Sequence, residues 1–310
     1  MNHILITGGA GFIGCHLANK LKEHYDVVII DNLSNSKSRS NLDLLKKNKI
    51  KIYKEDVRNK ESISGIIREC GVDSCVHLAA KISVPESMVE PYPTMNVNIN
   101  GTLNVLEACA CNSVKRLVLA SSAAVYGHVK TVPIPENIQV KPISPYGVSK
   151  VVAEEVFNSY GKLHLFDSAI VLRFFNVYGS GQSDEYAGVI TKFKSRILQK
   201  LPPLIFGNGN QQRDFVSVRD VVESIICALQ PPASITNGVY NVGTGVPTSI
   251  SELSVLMARI LNQKSIPTFL EKNKGDIQIS YADIKRARSD LNFIARMNLV
   301  SGLRELLSNA

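Results

Sequence analysis

A tyrosine and a lysine one helical turn apart are the residues of this sequence best suited to proton transfer. Tyr146 and Lys150 stand at positions i and i+4 of an amphipathic stretch, so both side chains fall on one face of the predicted helix. An ammonium group beside a phenol favours the phenolate, and we expect Lys150 to lower the pKa of Tyr146 towards that of a general base. Ser122 ends the predicted strand before this helix, where its hydroxyl can hydrogen-bond the same reacting oxygen. The three residues together predict a site for acid–base chemistry.

A glycine-rich turn near the N-terminus has the spacing of a dinucleotide-binding loop. The segment Gly8-Gly9-Ala10-Gly11-Phe12-Ile13-Gly14 follows a short apolar run and opens an amphipathic stretch. Glycines in such a turn let backbone N–H groups approach a pyrophosphate at a helix N-terminus. The register fits both G-x-x-G-x-x-G and G-x-G-x-x-G, so the spacing leaves the subtype open. Asp31 ends the second apolar run, where a carboxylate can bind an adenosine ribose and repel a 2′-phosphate, which favours NAD over NADP.

The elements that must position these groups alternate between strand-like and helix-like runs. The apolar runs, rich in Val, Ile and Leu, are Ile4–Thr7, Val27–Asp31, Ile50–Tyr53, Cys75–Ala80, Leu117–Ser121 and Ala169–Phe174. The amphipathic stretches between them include Phe12–Glu23, Ser62–Glu69, Asn100–Ala110 and Pro145–Tyr160. Runs that are apolar on both faces are typical of a parallel sheet buried under helices. The alternation therefore predicts an α/β fold with a doubly wound, Rossmann-like parallel sheet.

The second part of the chain has a looser rhythm. After about residue 175, Gly and Asn interrupt the pattern, as in Gly207-Asn208-Gly209-Asn210, and shorter elements follow. We expect a dinucleotide-binding domain over residues 1–175 and a smaller α/β substrate lobe over residues 176–310, some segments of which return to the first domain. Two lobes predict a cleft between them as the binding site.

Composition excludes several classes of function. Hydrophobic residues make up 45% of the chain and charged residues 20%, which is typical of a soluble globular protein. No apolar run approaches the roughly 18 residues of a membrane span, and no signal peptide opens the chain, so we expect a cytoplasmic protein without a membrane partner. The net charge is +8, but the densest basic stretch, residues 46–51, lacks interleaved aromatics, so no nucleic-acid partner is expected. The six cysteines have no metal-ligand spacing, which predicts free thiols and no metal.

These residues together resemble the extended short-chain dehydrogenase/reductase family over nearly the whole chain. Besides the glycine loop, the motifs that carry the resemblance are Asp31-Asn32, Asp56-Val57, His77-Leu78-Ala79-Ala80, Asn98, Ser121-Ser122-Ala123-Ala124-Val125-Tyr126-Gly127, Tyr146-x-x-x-Lys150, Arg173-Phe174-Phe175-Asn176-Val177-Tyr178-Gly179, Gly207-Asn208-Gly209, Arg213-Asp214-Phe215-Val216, Asn241-Val242-Gly243 and Gly275-Asp276. Within that family the chain looks most like the UDP-hexose 4-epimerases. The resemblance implies an NAD-dependent isomerase that interconverts UDP-glucose and UDP-galactose through a transient 4-keto sugar.

The resemblance also implies a role for each matching residue. Tyr146 would take the proton of the sugar 4-OH while C4 gives hydride to NAD, Lys150 would hold the nicotinamide ribose, and Ser122 would align the substrate oxygen. The residues implied to bind NAD are Gly8, Gly11, Phe12, Ile13, Gly14, Asp31, Asn32, Asp56, Val57, Leu78, Ala79, Ala80, Asn98, Ser121, Tyr146 and Lys150. Those implied to bind the UDP-sugar are Ser83, Ser122, Tyr146, Asn176, Arg213, Asp276 and Ser280.

Two alanines distinguish the subfamilies that this segment resembles. The dTDP-glucose 4,6-dehydratases place Asp-Glu directly after the hydroxyl residue, and UDP-glucuronate decarboxylases place Glu just before Val-Tyr-Gly. Here Ala123 and Ala124 occupy these positions, and a methyl group cannot transfer a proton, which favours epimerisation. The alternatives are another nucleotide-sugar-modifying member (a UDP-glucuronate decarboxylase, a 4,6-dehydratase or a reductase) and a non-enzymatic dinucleotide sensor. The intact Tyr146 and Lys150 weigh against the sensor.

Two positions depart from the epimerase pattern. Asn273 stands where epimerases commonly carry an Arg before the Gly-Asp, and a neighbouring lysine, Lys272 or Lys274, could supply the charge for the diphosphate. Ser280 stands where many glucose-preferring epimerases have a bulky Tyr. The smaller side chain implies room for a 2-acetamido group, so that UDP-GlcNAc and UDP-GalNAc would also be accepted. The alternative interpretation of Ser280 is a helix N-cap ahead of Asp283.

The resemblance extends to the assembly. In this family two helices from each subunit commonly form a four-helix interface, and Asn100–Ala110 and Pro145–Tyr160 are the corresponding stretches here. We therefore expect a homodimer.

Overall fold

The computed structural model describes residues 3–183, 188–272 and 275–308, apart from the side chains of residues 36–38. The strands are β1 (His3–Thr7), β2 (Asp26–Ile30), β3 (Lys51–Tyr53), β4 (Ser74–His77), β5 (Arg116–Ser122), β6 (Ser168–Phe174), β7 (Asn176–Tyr178), β8 (Leu204–Phe206), β9 (Gln212–Ser217), β10 (Asn237–Val242), β11 (Pro247–Ser249), β12 (Thr268–Leu270) and β13 (Ile279–Ser280). The α-helices are α1 (Phe12–Leu21), α2 (Ser36–Lys47), α3 (Lys60–Cys70), α4 (Val84–Val89), α5 (Pro91–Met95), α6 (Gly101–Cys111), α7 (Pro145–Lys162), α8 (Val189–Leu198), α9 (Val218–Leu229), α10 (Ile250–Ile260), α11 (Lys285–Leu291) and α12 (Leu299–Ser308). A π-helical turn, Asn96–Asn100, joins α5 to α6, and a 3₁₀ turn, Ala123–Val125, follows β5.

A seven-stranded sheet dominates the structure, with the strand order β3-β2-β1-β4-β5-β6-β10. All its neighbouring strands are parallel. The order reverses between β1 and β4, which makes the carboxyl ends of these two strands the place where such sheets bind ligands. The predicted doubly wound α/β fold is therefore confirmed.

Two apolar cores cover the two faces of this sheet. Helices α1, α2, α9 and α11 pack on the face to which Ile4 and Ile6 point. Helices α3, α6 and α7 pack on the opposite face, which includes Leu5 and Val28. Each fully buried aliphatic side chain contributes about 1.5–3 kcal/mol of hydrophobic stabilisation. Because the strands are apolar on both faces, both faces must be covered, and the helices that carry the glycine loop and Tyr146 are thereby fixed to the sheet.

The structure departs from the predicted elements at three places. The run expected over Cys75–Ala80 leaves the sheet after His77, so residues 78–80 form a loop at the carboxyl end of β4. The helix expected from Asn100 has helical turns before it, since α5 and the π-helical turn lead directly into α6. Strand β10 was not predicted, and it pairs with β6 as the edge of the large sheet.

A smaller layer lies beyond the large sheet. Strand β9 pairs with β11, β13 and β7, while β8 pairs with β12. Helices α8, α10 and α12 share a separate apolar core with this layer. In contrast, α9, β10 and α11 pack in the large sheet although they follow residue 176. None of the helices within the described ranges is both long and apolar enough to cross a bilayer.

A buried carboxylate joins the smaller layer to the large sheet. Asp214, on β9, is fully buried, and its oxygens accept hydrogen bonds from the backbone N–H groups of Thr244 (2.8 Å), Gly245 (2.9 Å) and Ala282 (3.1 Å). Thr244 and Gly245 follow β10, and Ala282 follows β13. The carboxylate therefore fixes the segment that carries Ser280 relative to the large sheet.

Candidate active site

Tyr146 lies in the first turn of α7, and two serine hydroxyls accept hydrogen bonds from the backbone of this turn. Ser144 is the N-cap residue, and its hydroxyl accepts a hydrogen bond from Gly147 N at 3.1 Å. The backbone N–H of Tyr146 donates to Ser87 Oγ, on α4, at 3.2 Å. The side chain of Ser122, the last residue of β5, lies close enough to the phenol to act on its pKa. The predicted pair of Tyr146 and Ser122 is therefore brought together, with both groups on rigid elements.

The electrostatics of this pair differ from the prediction. Burial raises the pKa of Tyr146, and the Ser122 side chain acts against this rise. Lys150 Nζ donates to Ala120 O at 2.9 Å. Burial lowers the pKa of Lys150 to about 8, while the Glu154 carboxylate acts in the opposite direction. The prediction that Lys150 brings the pKa of Tyr146 below its usual value is wrong for this structure, because the loss of solvation around the phenol is the larger effect.

The glycine loop has the shape that a pyrophosphate requires. Gly8 has a positive φ of 68°, and a Cβ there would lie 2.7 Å from Ala79 N. A Cβ on Gly14 would overlap Gly8 O. Gly11 is the N-cap residue of α1 and makes no side-chain cap, so the first N–H groups of Phe12 and Ile13 are not capped by it. The positive φ at Gly8 requires a glycine there, but a Cβ on Gly9 would also be crowded, by Ile29 at 2.6 Å, so both registers fit the loop. A helix N-terminus of this kind suits a phosphate anion.

Asp31 stands at the carboxyl end of β2, beside this loop. Its side chain accepts hydrogen bonds from Ala10 N at 3.0 Å and from Leu33 N at 2.8 Å. Burial raises the pKa of Asp31, and these N–H groups oppose the rise. A carboxylate has about four acceptor positions, so Asp31 keeps capacity for a ribose hydroxyl. The loop and the carboxylate together fit an adenine dinucleotide.

The residues predicted around the adenine also lie together. Asn32 Nδ2 donates to Asp56 Oδ2 at 2.8 Å, and Val57 packs against Gly101, where an added Cβ would lie 2.7 Å from its Cγ2. Arg58, which the sequence analysis did not consider, donates from Nε to Asp56 Oδ1 at 2.8 Å. This guanidinium holds the pKa of Asp56 well below its usual range. Asp56 is therefore a charged hydrogen-bond acceptor among the residues predicted to surround the adenine.

Asn98 acts on the loop after β4 through the backbone. The residue is 1% exposed and sits in the π-helical turn. Its Oδ1 accepts from Lys81 N at 2.8 Å, and its Nδ2 donates to Lys81 O at 3.0 Å and to Ser149 Oγ at 2.9 Å. Both amide hydrogens are thus used within the protein. Asn98 therefore holds the loop that carries Leu78, Ala79 and Ala80 against α7.

A buried histidine connects the glycine loop to this turn. Thr102 Oγ1 donates to Asn98 O at 2.6 Å, so it accepts at 3.0 Å from His77 Nε2, which must carry the ring proton. His77 Nδ1 therefore accepts at 2.6 Å from the hydroxyl of Thr7, the residue before Gly8. Burial, with a smaller effect of Lys150, lowers the pKa of His77 to about 3. The neutral ring links β1, β4 and α6. The spacing of these residues gave no signal for the link, because it spans 70 residues.

The predicted diphosphate and sugar residues share one face of the smaller layer. In the pairing register Asn176 is opposite Phe215 and Ser280 is opposite Arg213. Paired residues in neighbouring strands point to the same face, and so do residues two apart, so Asn176, Arg213 and Ser280 share that face. Arg213 Nη2 donates to Asp276 Oδ1 at 2.8 Å. Burial lowers the pKa of Arg213, and Asp276 opposes this.

The alternative interpretation of Ser280 is wrong. Ser280 lies on β13, whereas the next helix, α11, begins at Lys285 after Ile284 and has no side-chain cap. Ser83, also predicted to bind substrate, is the N-cap residue of α4, where its hydroxyl accepts from Glu86 N at 3.2 Å. It precedes Ser87, which contacts the first turn of α7.

The interpretation of Asn273 and Lys274 falls outside the described residues. Their neighbour Lys272 is exposed.

Comparison with known proteins gives the family. The model of the NAD dependent epimerase/dehydratase family matches residues 4–243. A UDP-glucose 4-epimerase of Mycolicibacterium smegmatis is 34% identical over 302 residues, which cover 96% of this chain and 95% of the relative.

Two solved structures show the same fold. The UDP-glucose 4-epimerase of Thermotoga maritima, solved with UDP-glucose, superposes with a TM-score of 0.93 at 34% identity and covers 99% of this chain and 98% of its own. The UDP-N-acetylglucosamine 4-epimerase of Methanobrevibacter ruminantium, solved with UDP-N-acetylmuramic acid, has a TM-score of 0.92 at 33% identity, with 99% and 97% covered. The glycine loop and Asp31 fit the cofactor of the matched family, and the chain belongs to the NAD-dependent epimerase/dehydratase family.

Proposed function

We propose that this protein is a UDP-hexose 4-epimerase that interconverts UDP-glucose and UDP-galactose. The observation that carries the proposal is the placement of the buried Tyr146 phenol beside Ser122, at the carboxyl edge of a sheet whose glycine loop fits NAD. Relatives and solved structures with the name UDP-glucose 4-epimerase support it.

In the proposed reaction the protein moves one proton and holds the substrate. Ser122 would hydrogen-bond the sugar 4-OH, and the Tyr146 phenolate would take its proton, become the phenol, and later return the proton. When bound, NAD would supply the hydride acceptor for C4. Lys150 would bind the nicotinamide ribose, and its ammonium charge would favour the phenolate against the effect of burial. Because the sugar turns about its link to the diphosphate between the two hydride transfers, the nucleotide must stay bound throughout.

The smaller layer would hold that nucleotide. Arg213 and Asn176 lie on one face of it, and a guanidinium suits a diphosphate because it can form forked, charge-assisted hydrogen bonds. Asp276, which is bonded to Arg213, would bind the UDP ribose. Ser280 lies opposite Arg213 on the same face, and its small side chain supports acceptance of UDP-GlcNAc and UDP-GalNAc. Ser83, at the start of α4, is the proposed contact on the other side of the sugar.

The short turn after Ser122 disfavours elimination chemistry. Ala123 and Ala124 form the first part of the 3₁₀ turn, and Ala124 N donates to Ser122 Oγ at 3.2 Å. Neither methyl group can move a proton, so the acid and base of a dehydratase are missing at these two positions. Epimerisation requires no such pair, since the hydride that leaves C4 returns to it.

We further propose a homodimer whose interface lies on the side of the large sheet that α3, α6 and α7 cover. The exposed apolar side chains Val84, Met88, Val89 and Tyr92, here called the α4–α5 surface, lie on the two helices that pack against α7. This surface lies beside α7, which together with α6 is one of the two helices that the family resemblance places in the dimer interface.

The reaction is tested with purified protein and no added cofactor. UDP-glucose and UDP-GlcNAc are incubated separately in D₂O, and proton NMR follows the sugar. We expect the matching galacto sugar to appear with hydrogen retained at C4, because the hydride never exchanges with solvent; Tyr146→Phe serves as the inactive control. Turnover that starts only after NAD⁺ is added would mean that NAD is lost during purification. Bound dinucleotide without any conversion, or a released keto sugar, would overturn the proposal.

A further inference from the structure

A buried acidic side chain continues the catalytic face of α7. Tyr146, Lys150 and Glu154 follow one another at intervals of four residues and are 8%, 6% and 3% exposed. This spacing stacks the three side chains on one face of the helix. Glu154 has no part in the reaction described above. Because a buried carboxylate is costly unless its oxygens are bonded, its partners indicate what it does.

Both oxygens of Glu154 are occupied. Oε1 accepts from Ser121 Oγ and, at 3.0 Å, from Arg173 Nε, while Oε2 accepts from Arg173 Nη2 at 2.6 Å. This forked pair fixes the plane of the carboxylate. Arg173 is itself held, since its Nη1 donates to Tyr126 OH at 3.0 Å and to Glu136 O at 3.1 Å. Arg173 on β6 therefore fixes Glu154 in position, and Ser121 on β5 donates a hydrogen bond to it.

Three consecutive residues at the end of β5 each lie against a different member of this row. The pairs are the Ala120 carbonyl with Lys150 Nζ (2.9 Å), Ser121 Oγ with Glu154, and Ser122 with the Tyr146 phenol. The middle pair lies between the two that hold catalytic groups. A shift of Ser121 would therefore displace both neighbours, because the three are joined by two rigid peptide units.

Glu154, whose bonded counter-charge is Arg173, also acts on the charge of Lys150 one helical turn away. On α7 the neighbours of Lys150 are Tyr146 and Glu154, and on β5 its ammonium donates to the Ala120 carbonyl. On β4, His77 is close enough to interact electrostatically with Lys150. His77 is neutral because burial lowers its pKa to about 3. Burial also lowers the pKa of Lys150, and the Glu154 carboxylate opposes that effect. Without the carboxylate, the buried ammonium would lose its proton at a lower pH.

We propose that Glu154 is a positioning residue of the reaction: held by Arg173, it fixes the end of β5 through Ser121 and keeps Lys150 protonated. Its effect on the rate rests on the proposed epimerase function. Its effect on the charge of Lys150 does not, and can be measured without turnover.

Matched variants separate charge from structure. Glu154→Gln keeps the reach of the side chain and removes its charge, whereas Glu154→Asp keeps the charge. Glu155→Gln makes the same charge change at the neighbouring exposed position and is the control. In NAD-containing protein labelled with ¹³C-lysine, the ¹³Cε signal of Lys150, assigned with Lys150→Arg, is titrated. We expect Glu154→Gln to lower the pKa of Lys150 by about one unit, and the other two to leave it nearly unchanged.

The same variants give a second readout in the pH dependence of kcat. The alkaline limb should move down by about one pH unit in Glu154→Gln, which is a loss of up to about tenfold above that limb, but should stay in place in Glu154→Asp. Ser121→Ala removes the bond to β5 without any charge change, and should lower kcat about tenfold at every pH while KM and the titration of Lys150 are unchanged.

Two results would overturn the proposal. One is an unshifted Lys150 titration in Glu154→Gln, and the other is full activity in Ser121→Ala. If Glu154→Gln does not fold, the Ser121 variant still decides whether the β5 contact matters. If the wild-type protein shows no turnover while its Lys150 titration shifts in Glu154→Gln, then the epimerase function fails and the role of Glu154 in holding the lysine charge stands.

Discussion

At the scale of single residues, the proposed reaction depends on the side-chain oxygen of Tyr146 as the proton acceptor. The Tyr146 phenol is buried beside Ser122, and burial raises its pKa, which acts against the phenolate that the proposed reaction needs as its base. A site of this kind depends on the one oxygen that accepts the proton. Removing that oxygen while keeping the ring should therefore spare the fold and stop the chemistry.

We expect Tyr146→Phe to lower kcat by about 10³-fold, in keeping with the loss of a general base, without loss of bound NAD. Progress of UDP-glucose conversion by NMR gives the rate, and the NAD content of the purified protein gives cofactor binding. Tyr25→Phe is the matched control, because Tyr25 lies just before β2, at the amino end of the strands. Activity within about tenfold of wild type in Tyr146→Phe would contradict the role of the phenol.

Ser280 is the second residue that decides chemistry, through its size. It is 8% exposed on β13 and shares a face with Arg213. We expect Ser280→Tyr to lower kcat/KM for UDP-GlcNAc at least about tenfold more than for UDP-glucose, because the ring would fill the space proposed for the acetamido group. Competition between the two substrates in one NMR sample measures this ratio directly. An equal loss for both sugars would mean that Ser280 does not face the 2-position.

At the scale of elements, His77 joins two strands and a helix by accepting from Thr7 and donating to Thr102. The ring must stay neutral, since its Nδ1 is needed as an acceptor. In the unfolded chain a histidine takes up a proton below about pH 6.5, whereas in the folded protein burial lowers the pKa of His77 to about 3. Between these values the unfolded state binds more protons, so the free energy of unfolding must fall as the pH falls.

We expect this group to cost about 2 kcal/mol of stability on going from about pH 7 to about pH 5, as measured by urea unfolding at both values. His77→Gln should be less stable at neutral pH but should lose less of its stability on acidification. The exposed His24 provides the control, since His24→Gln should keep the pH dependence of the wild type. The same steep dependence in His77→Gln would assign the effect to another group.

At the scale of the whole molecule, the sequence predicted the large sheet and the chemistry at its edge, because both depend on local patterns. Apolar runs and glycine spacing indicated β1–β6, the loop of Gly8 and the row of Tyr146 and Lys150. The links between distant segments were not predictable from spacing, as with the bond of Ser121 to Glu154 across 33 residues or that of Arg173 to Tyr126 across 47. These side chains are polar and isolated in the sequence, and only the packing of strands and helices brings them together. Strand β10 was not predicted for the same reason, since its place in the sheet depends on its pairing with β6.

The assembly is the remaining feature at this scale, and surface chemistry allows a direct test. Met88, Val89 and Tyr92 of the α4–α5 surface are 60%, 81% and 77% exposed. A cluster of apolar side chains in contact with water is unfavourable, and such clusters mark surfaces that a partner covers. A charge placed there would be buried without a partner in a dimer, so we expect Met88→Glu to convert a dimer into a monomer by sedimentation velocity. Ile266 is 85% exposed on another part of the chain, and Ile266→Glu is the matched control that should remain dimeric. A wild-type protein that sediments as a monomer at high concentration would refute the homodimer, whereas a Met88→Glu protein that stays dimeric would place the interface elsewhere. Since the α4–α5 surface packs on α7, which carries Tyr146, loss of the dimer should also lower kcat while Ile266→Glu leaves it unchanged.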